Sequence, residues 1–456
     1  MEKKKLMTDS KRISGDISVI MSRIKQSDVS IFWFRRDLRL NDNTGLYHAL
    51  KSGRPVILLF IFDDEILKKL PVKDARVSFI YDKLEQIHIA VSGYKSSVMV
   101  LKGDCIQIWK NIAESAKVKS VFWNNDYEPY AQLRDGKVKN ILRGKGIEVC
   151  SYKDHVIFEK DEVIKDDSSP YTVFTPYARR WLRRVETSGM PSEKRSEDYL
   201  KNLAEIYIDF PGLNSTGLKR SDKKIVDFRS EKIKSYDKYR DYPYMDASTY
   251  AGPHLRFGTI SIRELAKTAI MVNITYLNEL IWREFFMQIL FHFPHVVENS
   301  FKPKYDGIKW LNDEEKYDKW CKGETGYPLV DAGMRQLNAT GFMHNRIRMV
   351  TASFLCKHLL IDWRWGERYF SEKLLDYELS SNNGNWQWAA GTGCDAAPYF
   401  RVFNPYEQAK KFDRDNKYIL EWIPELNTGD YPPPIIDHSF ARKRAIETYR
   451  YYLNLA

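Results

Sequence analysis

VSIFWFRRDLRLNDNTGLYHALKSGRPVILLFIF, residues 29–62, decides the fold of the first part of the chain. Two short runs rich in β-branched and aromatic residues, Ile31–Phe34 and Val56–Phe62, read as buried strands. Between them Asn43–Lys51 carries helical spacing. Working outward, the same alternation continues. Strand-like runs recur at Ser97–Leu101, Ser120–Trp123 and Ile147–Cys150, separated by helical patterns at Ala75–Val91, Ile106–Ala116 and Leu133–Arg143. Strands that alternate with helices imply βαβ units and a parallel sheet covered on both faces, a Rossmann-like α/β domain. No G-x-G-x-x-G follows the first strand, so the dinucleotide fingerprint is missing. The carboxyl ends of the strands could still hold a ligand.

The rest of the chain divides by pattern. Residues 1–28 form a polar tail with Lys3-Lys4-Lys5, no apolar signal core and one short helix expected at Asp16–Ile24. Asp9, Asp16 and Asp28 argue against a transit peptide. After the α/β domain of 29–160 comes a charge-dense connector, 161–235, punctuated by Ser168-Ser169-Pro170, Ser188-Gly189 and Pro211-Gly212, with one helix near Pro176–Val185. From 236 to 456 the pattern is helical, with the 3.6 period at Ser261–Val272, Leu277–Phe291, Tyr327–Thr340, Asn345–Leu359 and Trp365–Leu375.

Composition narrows the function. The 456 residues are 43% hydrophobic, which excludes disorder as the main state. The longest near-continuous apolar run, Pro55–Phe62, is far short of a membrane span. Five scattered cysteines offer neither a disulfide framework nor a metal site, and a reducing cytoplasm fits best. A net charge of +11 with 12 Trp, 28 Tyr and 23 Phe suits nucleic acid, because phosphates attract cations and bases stack on rings. A large helical core that uses Trp accounts for the rings equally well.

Three constellations carry chemistry. Glu279, Trp282, Arg283 and Phe286 share one helical stripe. A carboxylate and a guanidinium among rings suit a pocket wall, though a Glu279–Arg283 surface pair with Trp282 beneath it has the same spacing. The helix start Met343-His344-Asn345-Arg346-Ile347-Arg348-Met349 could contact phosphate, or simply present a capped, solvated basic face. Asp376–Phe403 is a polar stretch whose Asn382-Asn383-Gly384 and Gly391-Thr392-Gly393 read as turns around Trp386 and Trp388. Such length between helices marks a functional loop.

Phe34–Asn43 (FRRDLRLNDN), Gly326–Leu337 (GYPLVDAGMRQL), Met343–Met349 (MHNRIRM) and Asn382–Pro405 (NNGNWQWAAGTGCDAAPYFRVFNP) together resemble the photolyase/cryptochrome family. The resemblance spans residues 29 to about 425 and is strongest to microbial class I cyclobutane pyrimidine dimer photolyases. It implies FAD in the helical domain and repair of ultraviolet-damaged DNA by a light-driven electron. For the flavin it implies Tyr236, the loop Ser248-Thr249-Tyr250-Ala251-Gly252, Tyr276, Asn345, Arg348, Asp376, Tyr377, Glu378 and Asn382, the last facing flavin N5. For DNA and the dimer pocket it implies Arg240, Glu279, Trp282, Arg283, Phe286, Asn345, Arg346, Met349, Trp388 and Gln408. Trp386, Trp363 and Trp310 match the electron-transfer chain, and Glu279 and Asn382 complete the catalytic set.

One departure stands out. Where the family shows Thr-Ser-x-Leu-Ser-Pro, this chain has Ser248-Thr249-Tyr250-Ala251-Gly252-Pro253, so one phosphate-binding hydroxyl is lost or replaced by backbone. A second antenna chromophore, folate, deazaflavin or flavin, is implied without its identity. Val296-Val297-Glu298-Asn299 lacks the Cys-Lys pair found in some folate-binding relatives. The other expectations are a monomer in the cytoplasm, nucleoid-associated if bacterial. The alternative on this scaffold is a cryptochrome-like photoreceptor; Asn382 at the N5 position and the short segment after Leu426 favour repair. Repair of the other major ultraviolet lesion would call for a His-containing motif in place of Asn345-Arg346.

Overall fold

Five parallel strands form the sheet that the first apolar runs foretold, in the computed structural model that describes residues 28–115 and 117–455. They are β1 (Val29–Phe34), β2 (Val56–Asp63), β3 (Val98–Gly103), β4 (Val118–Asn124) and β5 (Glu148–Tyr152), in the order β3-β2-β1-β4-β5. β1 runs beside β2 with Ser30 opposite Val56 and Phe34 opposite Phe60. Alternate side chains of β1 enter two separate cores. Ile31 and Trp33 pack with Trp109, Trp123 and Val138 on one face. Phe32 and Phe34 pack with Leu46, Val77 and Leu84 on the other. Burial on both faces is why these strands read as unbroken apolar runs rather than as alternating ones. The expected helix at Asp16–Ile24 lies outside the described residues.

The helices between the strands, Thr44–Leu50, Ala75–Ser92, Cys105–Ala113 and Pro129–Gly144, fall within a few residues of their expected limits. Asn43, Asp74 and Asp104 each cap the following helix through a side-chain oxygen.

The residues form two compact units whose division is not a single cut. Among the described residues the first comprises 28–115, 117–159, 189–226 and 253–267; the second comprises 160–188, 227–252 and 268–455. Residues of the expected connector 161–235 fall in both units, and its amphipathic helix runs Phe174–Ser188 within the second. Segment 253–267, expected in the helical domain, belongs to the first unit. There Arg263 pairs with Asp42 at 2.8 Å and with Asp154 at 2.7 Å, and Arg39 pairs with Asp154 at 2.7 Å. Burial alone would raise the Asp154 carboxyl, but the two guanidiniums hold it well below the usual carboxylate range.

The second unit is helical. Its core gathers Trp320, Tyr327, Met334, Ile347, Leu355, Trp363, Phe370 and Trp386. Asn345–Leu359, expected as one helix, is an α-helix to Ser353 followed by a π-turn over Phe354–His358. Asn382-Asn383-Gly384 is not a turn: it lies inside the helix Leu379–Ala390. Glu378 nucleates that helix by accepting from Ser381 N–H at 2.9 Å. Gly384 is there for contact rather than for turning, since a Cβ on it would lie 2.2 Å from the Phe286 ring of helix Ile274–His292. Gly391, in the left-handed region at φ 89°, ends the helix where the second turn was expected. Among the described residues no helix is long and apolar enough to cross a membrane, and no cluster could hold a metal ion.

Candidate functional site

A cavity in the second unit opens between the helices Asn345–Ser353, Trp363–Lys373 and Leu379–Ala390. It is lined by Asn345, Arg348, Met349, Asp376, Tyr377, Glu378, Asn382, Trp386 and Trp388, all named above from the sequence. Ala352, Phe370, Leu374, Ser381, Asn385 and Ala389 complete the wall and were not foreseen. Asn345–Ser353 and Leu379–Ala390 supply polar side chains, Trp363–Lys373 supplies the Phe370 ring, and Asp376 and Tyr377 come from the segment between the last two helices.

The polar groups of the wall are fixed in pairs. Arg348 donates to Asp376 Oδ2 at 2.8 Å and to Met343 O at 2.8 Å. The other carboxylate oxygen, Asp376 Oδ1, is buried without a hydrogen-bond partner, a costly arrangement unless a ligand donor completes it. Gly252 lies against this carboxylate, and a Cβ on it would fall 2.8 Å from Asp376 Cβ. The departure from the family pattern thus has a steric reason: a serine at 252 has no room while Asp376 stands where it does. Asn382 donates through Nδ2 to Glu367 Oε1 at 2.8 Å and to Glu367 O at 3.1 Å. With its nitrogen so engaged, the amide oxygen is what Asn382 can present to a ligand. Burial pushes the Glu367 carboxyl up, and the Asn382 hydrogen bond opposes that. Glu367 was missed because nothing in a spacing of fifteen residues announces such a pair. Glu378 lines the cavity, but its carboxylate is taken up in capping the helix through Ser380 and Ser381.

A second cluster surrounds the loop 248–252. Thr249 and Tyr276 share a hydroxyl hydrogen bond at 3.1 Å, and Tyr236 meets Tyr276 edge to face at 5.0 Å. Asn273 caps the helix Ile274–His292 and donates to Asp237 at 2.8 Å, which ties the Tyr236 helix to it. Tyr250 turns through the left-handed region at φ 54°, its hydroxyl donating to Asp246 at 2.8 Å. Ala251 is buried and Ser248 half-buried. Arg240 pairs with Glu279 at 2.6 Å. Burial raises the Glu279 carboxyl, while Arg240 pulls it back. Arg346 pairs with Asp241 at 2.5 Å and lies over the Phe412 ring. Asp241, next to Arg240 in sequence, was also missed. His344 caps the helix start by accepting from Arg346 N–H at 3.2 Å. Burial, then the neighbouring Arg346 and Arg348, push its imidazole down to about 4.

The stripe Glu279, Trp282, Arg283, Phe286 sinks progressively. Its first three members are half-buried, whereas Phe286 is only 6% exposed and presses on Gly384. Phe286 therefore sets the spacing of two helices, with little of its ring left exposed. Trp282 is stacked face to face on Phe174 at 3.7 Å. Gln408, on the helix Pro405–Phe412, has a buried Oε1 with no partner. Trp386 and Trp363 are fully buried in one core, and Trp310 packs at its margin against Tyr449.

Residues 30–196 match the model of the DNA photolyase family, and residues 276–429 match the FAD binding domain of DNA photolyase. A deoxyribodipyrimidine photo-lyase of Halobacterium salinarum is 34% identical over 92% of this chain and 98% of its own length. The chain belongs to the DNA photolyase family. A class III photolyase of Agrobacterium tumefaciens superposes with a TM-score of 0.82 at 32% identity, covering 94% of this chain and 98% of that one. An archaeal photolyase of Sulfolobus tokodaii, solved with two FAD molecules, gives 0.77 at 33% identity, covering 92% and 99%. A Rossmann-like domain followed by a helical FAD-binding domain is the photolyase architecture, and it is the architecture described above.

The photolyase cofactor is FAD, and the residues present fit it. The cavity offers an orphaned carboxylate oxygen at Asp376, a fixed amide at Asn382, a guanidinium at Arg348, and aromatic walls at Trp386 and Phe370. A planar heteroaromatic ligand with a donor group matches that combination.

Proposed function

We propose that this chain splits cyclobutane pyrimidine dimers in ultraviolet-damaged DNA, with FAD held in the second unit and blue light as the energy source. The observation that carries the reading is the combination in one unit of the Asn382/Arg348/Asp376 cavity with the Glu279–Arg240 and Arg346–Asp241 pairs. Reduced FAD, when bound and excited, supplies the electron for the chemistry.

The protein's own groups then divide the work. A dimer within duplex DNA cannot be reached, so it is flipped out, at a cost lowered by the damage itself. Trp282 and Trp388 stack on its rings, a contribution of roughly 1–3 kcal/mol per base. Glu279, with its carboxyl raised by burial, hydrogen-bonds the base edge and steadies the charge that develops there. Arg346 exchanges Asp241 for a flanking phosphate, and Asn345, Met349 and Gln408 complete the pocket. Arg240 and Arg283 add charge along the DNA path. Tyr236, Thr249, Tyr276 and the backbone of Tyr250–Gly252 hold the flavin phosphates. Asn382, oriented by Glu367, faces the flavin ring. Trp386, Trp363 and Trp310 pass an electron inward from the surface when the cofactor arrives oxidised. A second chromophore would add absorbance beyond that of one FAD per chain.

Two measurements test this reading. Protein denatured after purification should release about one FAD per chain, as one flavin in the Asn382/Arg348/Asp376 cavity requires. An oligonucleotide with one thymine dimer should bind more tightly than its undamaged twin. Release of no flavin, or equal affinity for both oligonucleotides, overturns the assignment.

A further inference from the structure

Trp282 does not stand alone. Phe174, at the start of the helix Phe174–Ser188, lies parallel to its indole, with ring centroids 3.7 Å apart and planes 6° apart. Phe285 closes one edge at 5.6 Å and 82°, and Phe286 leans on it at 5.4 Å and 31°. A half-buried Trp on a helix surface would otherwise keep freedom about its side-chain torsions. Here rings from two helices fix the plane.

Phe174 is itself anchored. Its backbone N–H donates to Asp395 Oδ2 at 2.9 Å. Three residues earlier, Tyr171 O accepts from Gln288 Nε2 at 3.1 Å. One turn and two turns later, Tyr177 packs on Phe285 and Trp181 Nε1 donates to Glu284 at 2.7 Å. These contacts fall on Trp282, Glu284, Phe285 and Gln288 in the middle and C-terminal half of the helix Ile274–His292, so Phe174 is held as a backstop rather than as a swinging gate. With one face of Trp282 covered, a single face remains for a base.

We propose that Phe174 is a positioning residue for lesion recognition: it presets the plane of Trp282, so that the flipped base meets a fixed platform instead of ordering a loose ring. Removing the need to order a side chain on binding strengthens affinity without adding a contact. The effect is confined to the stacked, flipped state and leaves phosphate contacts with undamaged DNA untouched. The Asp395 link joins this platform to the loop after Gly391. The inference rests on Trp282 stacking against the lesion, as set out under the proposed function.

The test uses the full-length, flavin-loaded protein with Phe174→Ala, Phe174→Leu and Phe174→Tyr, and Trp282→Ala as the reference. Affinity is measured for an oligonucleotide with one thymine dimer and for its undamaged twin, alongside flavin content and absorbance. Phe174→Ala should weaken dimer binding by about three- to tenfold, the scale of one aromatic pair. Undamaged-DNA binding and flavin content should not change. Phe174→Tyr should restore dimer affinity. Phe174→Leu, which keeps bulk without an aromatic face, should show part of the loss and decides the matter if the alanine variant does not fold. Equal losses on damaged and undamaged DNA would mean a structural role only and overturn the proposal. So would dimer affinity within twofold of wild type in both the Ala and Leu variants while Trp282→Ala loses it. If Trp282→Ala itself binds the dimer normally, the stacking role of Trp282 fails, and the positioning role falls with it.

Discussion

Asn382→Asp perturbs an amide of the cavity wall that is held by a buried carboxyl. In the native protein Asn382 Nδ2 donates to Glu367 Oε1 at 2.8 Å, and burial has already pushed the Glu367 carboxyl up. An aspartate sets a second carboxyl oxygen at that distance. Two buried carboxylates so close cannot both ionise, so the pair keeps a proton that each group would lose in the unfolded chain. The sign follows from linkage. A folded state that binds the extra proton loses stability as pH rises above the ordinary carboxylate range, by up to about 1.4 kcal/mol for each pH unit over which the proton is retained. In the native protein only the raised Glu367 carboxyl contributes a dependence of this sign, and the Asn382 hydrogen bond opposes it. Urea unfolding of both proteins at pH 5 and at pH 8 is the assay. Asn382→Asp should lie near wild type at the acidic end and fall well below it at the alkaline end. Its flavin should also settle in a different redox state under blue light, because a carboxyl would replace the amide that the proposed function sets beside the ring. A variant as stable as wild type at both pH values would refute the Asn382–Glu367 pairing on which the reasoning depends.

Other outcomes follow from the same geometry. Trp386→Phe should slow light-driven reduction of oxidised FAD severely while leaving dimer repair by chemically reduced protein intact; loss of both, with folding preserved, would contradict the electron-relay role. His344, held down to about 4 by burial and by Arg346 and Arg348, is neutral in the folded state. The unfolded chain takes up a proton near 6.5, so stability should be flat above that pH and fall towards 4, by up to about 1.4 kcal/mol per unit. His344→Asn, which keeps a capping oxygen for Arg346 N–H, should flatten that window, and an unchanged profile would argue against it. Affinity for dimer-containing DNA should drop steeply between about 50 and about 200 mM salt as displaced counterions compete for the phosphates. A salt-independent affinity would count against the roles of Arg240 and Arg346.

What could be read ahead of the structure depended on whether a residue acts through its neighbours in sequence. β1 to β5 and the helices between them were legible because double-sided burial produces unbroken apolar runs and caps such as Asn43 and Asp104 mark the helix starts. The lining set Asn345, Arg348, Asp376, Asn382, Trp386 and Trp388 was legible through family motifs, and the cavity brings these residues together. The helix Leu379–Ala390 was not, since Asn382-Asn383-Gly384 is a strong local turn signal. Packing overrides it, with Glu378 supplying the cap and Phe286 filling the space that Gly384 leaves. Phe286 sat on the right stripe for a pocket wall, but the approach of that helix buries it. Glu367, Asp241 and Phe174 act on residues 15, 105 and 108 positions away, distances at which a single sequence carries no periodic signal. The division of the chain was obscured for the same reason: Arg263 reaches back to Asp42 and Asp154 and carries its segment into the first unit.

The central claim is that this protein reverses a covalent lesion with light. Purified, chemically reduced protein is mixed with an oligonucleotide containing one cyclobutane thymine dimer, kept dark or exposed to blue light, and the recovery of two intact thymines is measured by chromatography. The account predicts recovery in the light, none in the dark, and none with Glu279→Ala at limiting DNA. Flavin-loaded protein that binds the dimer yet leaves it intact under blue light would contradict it.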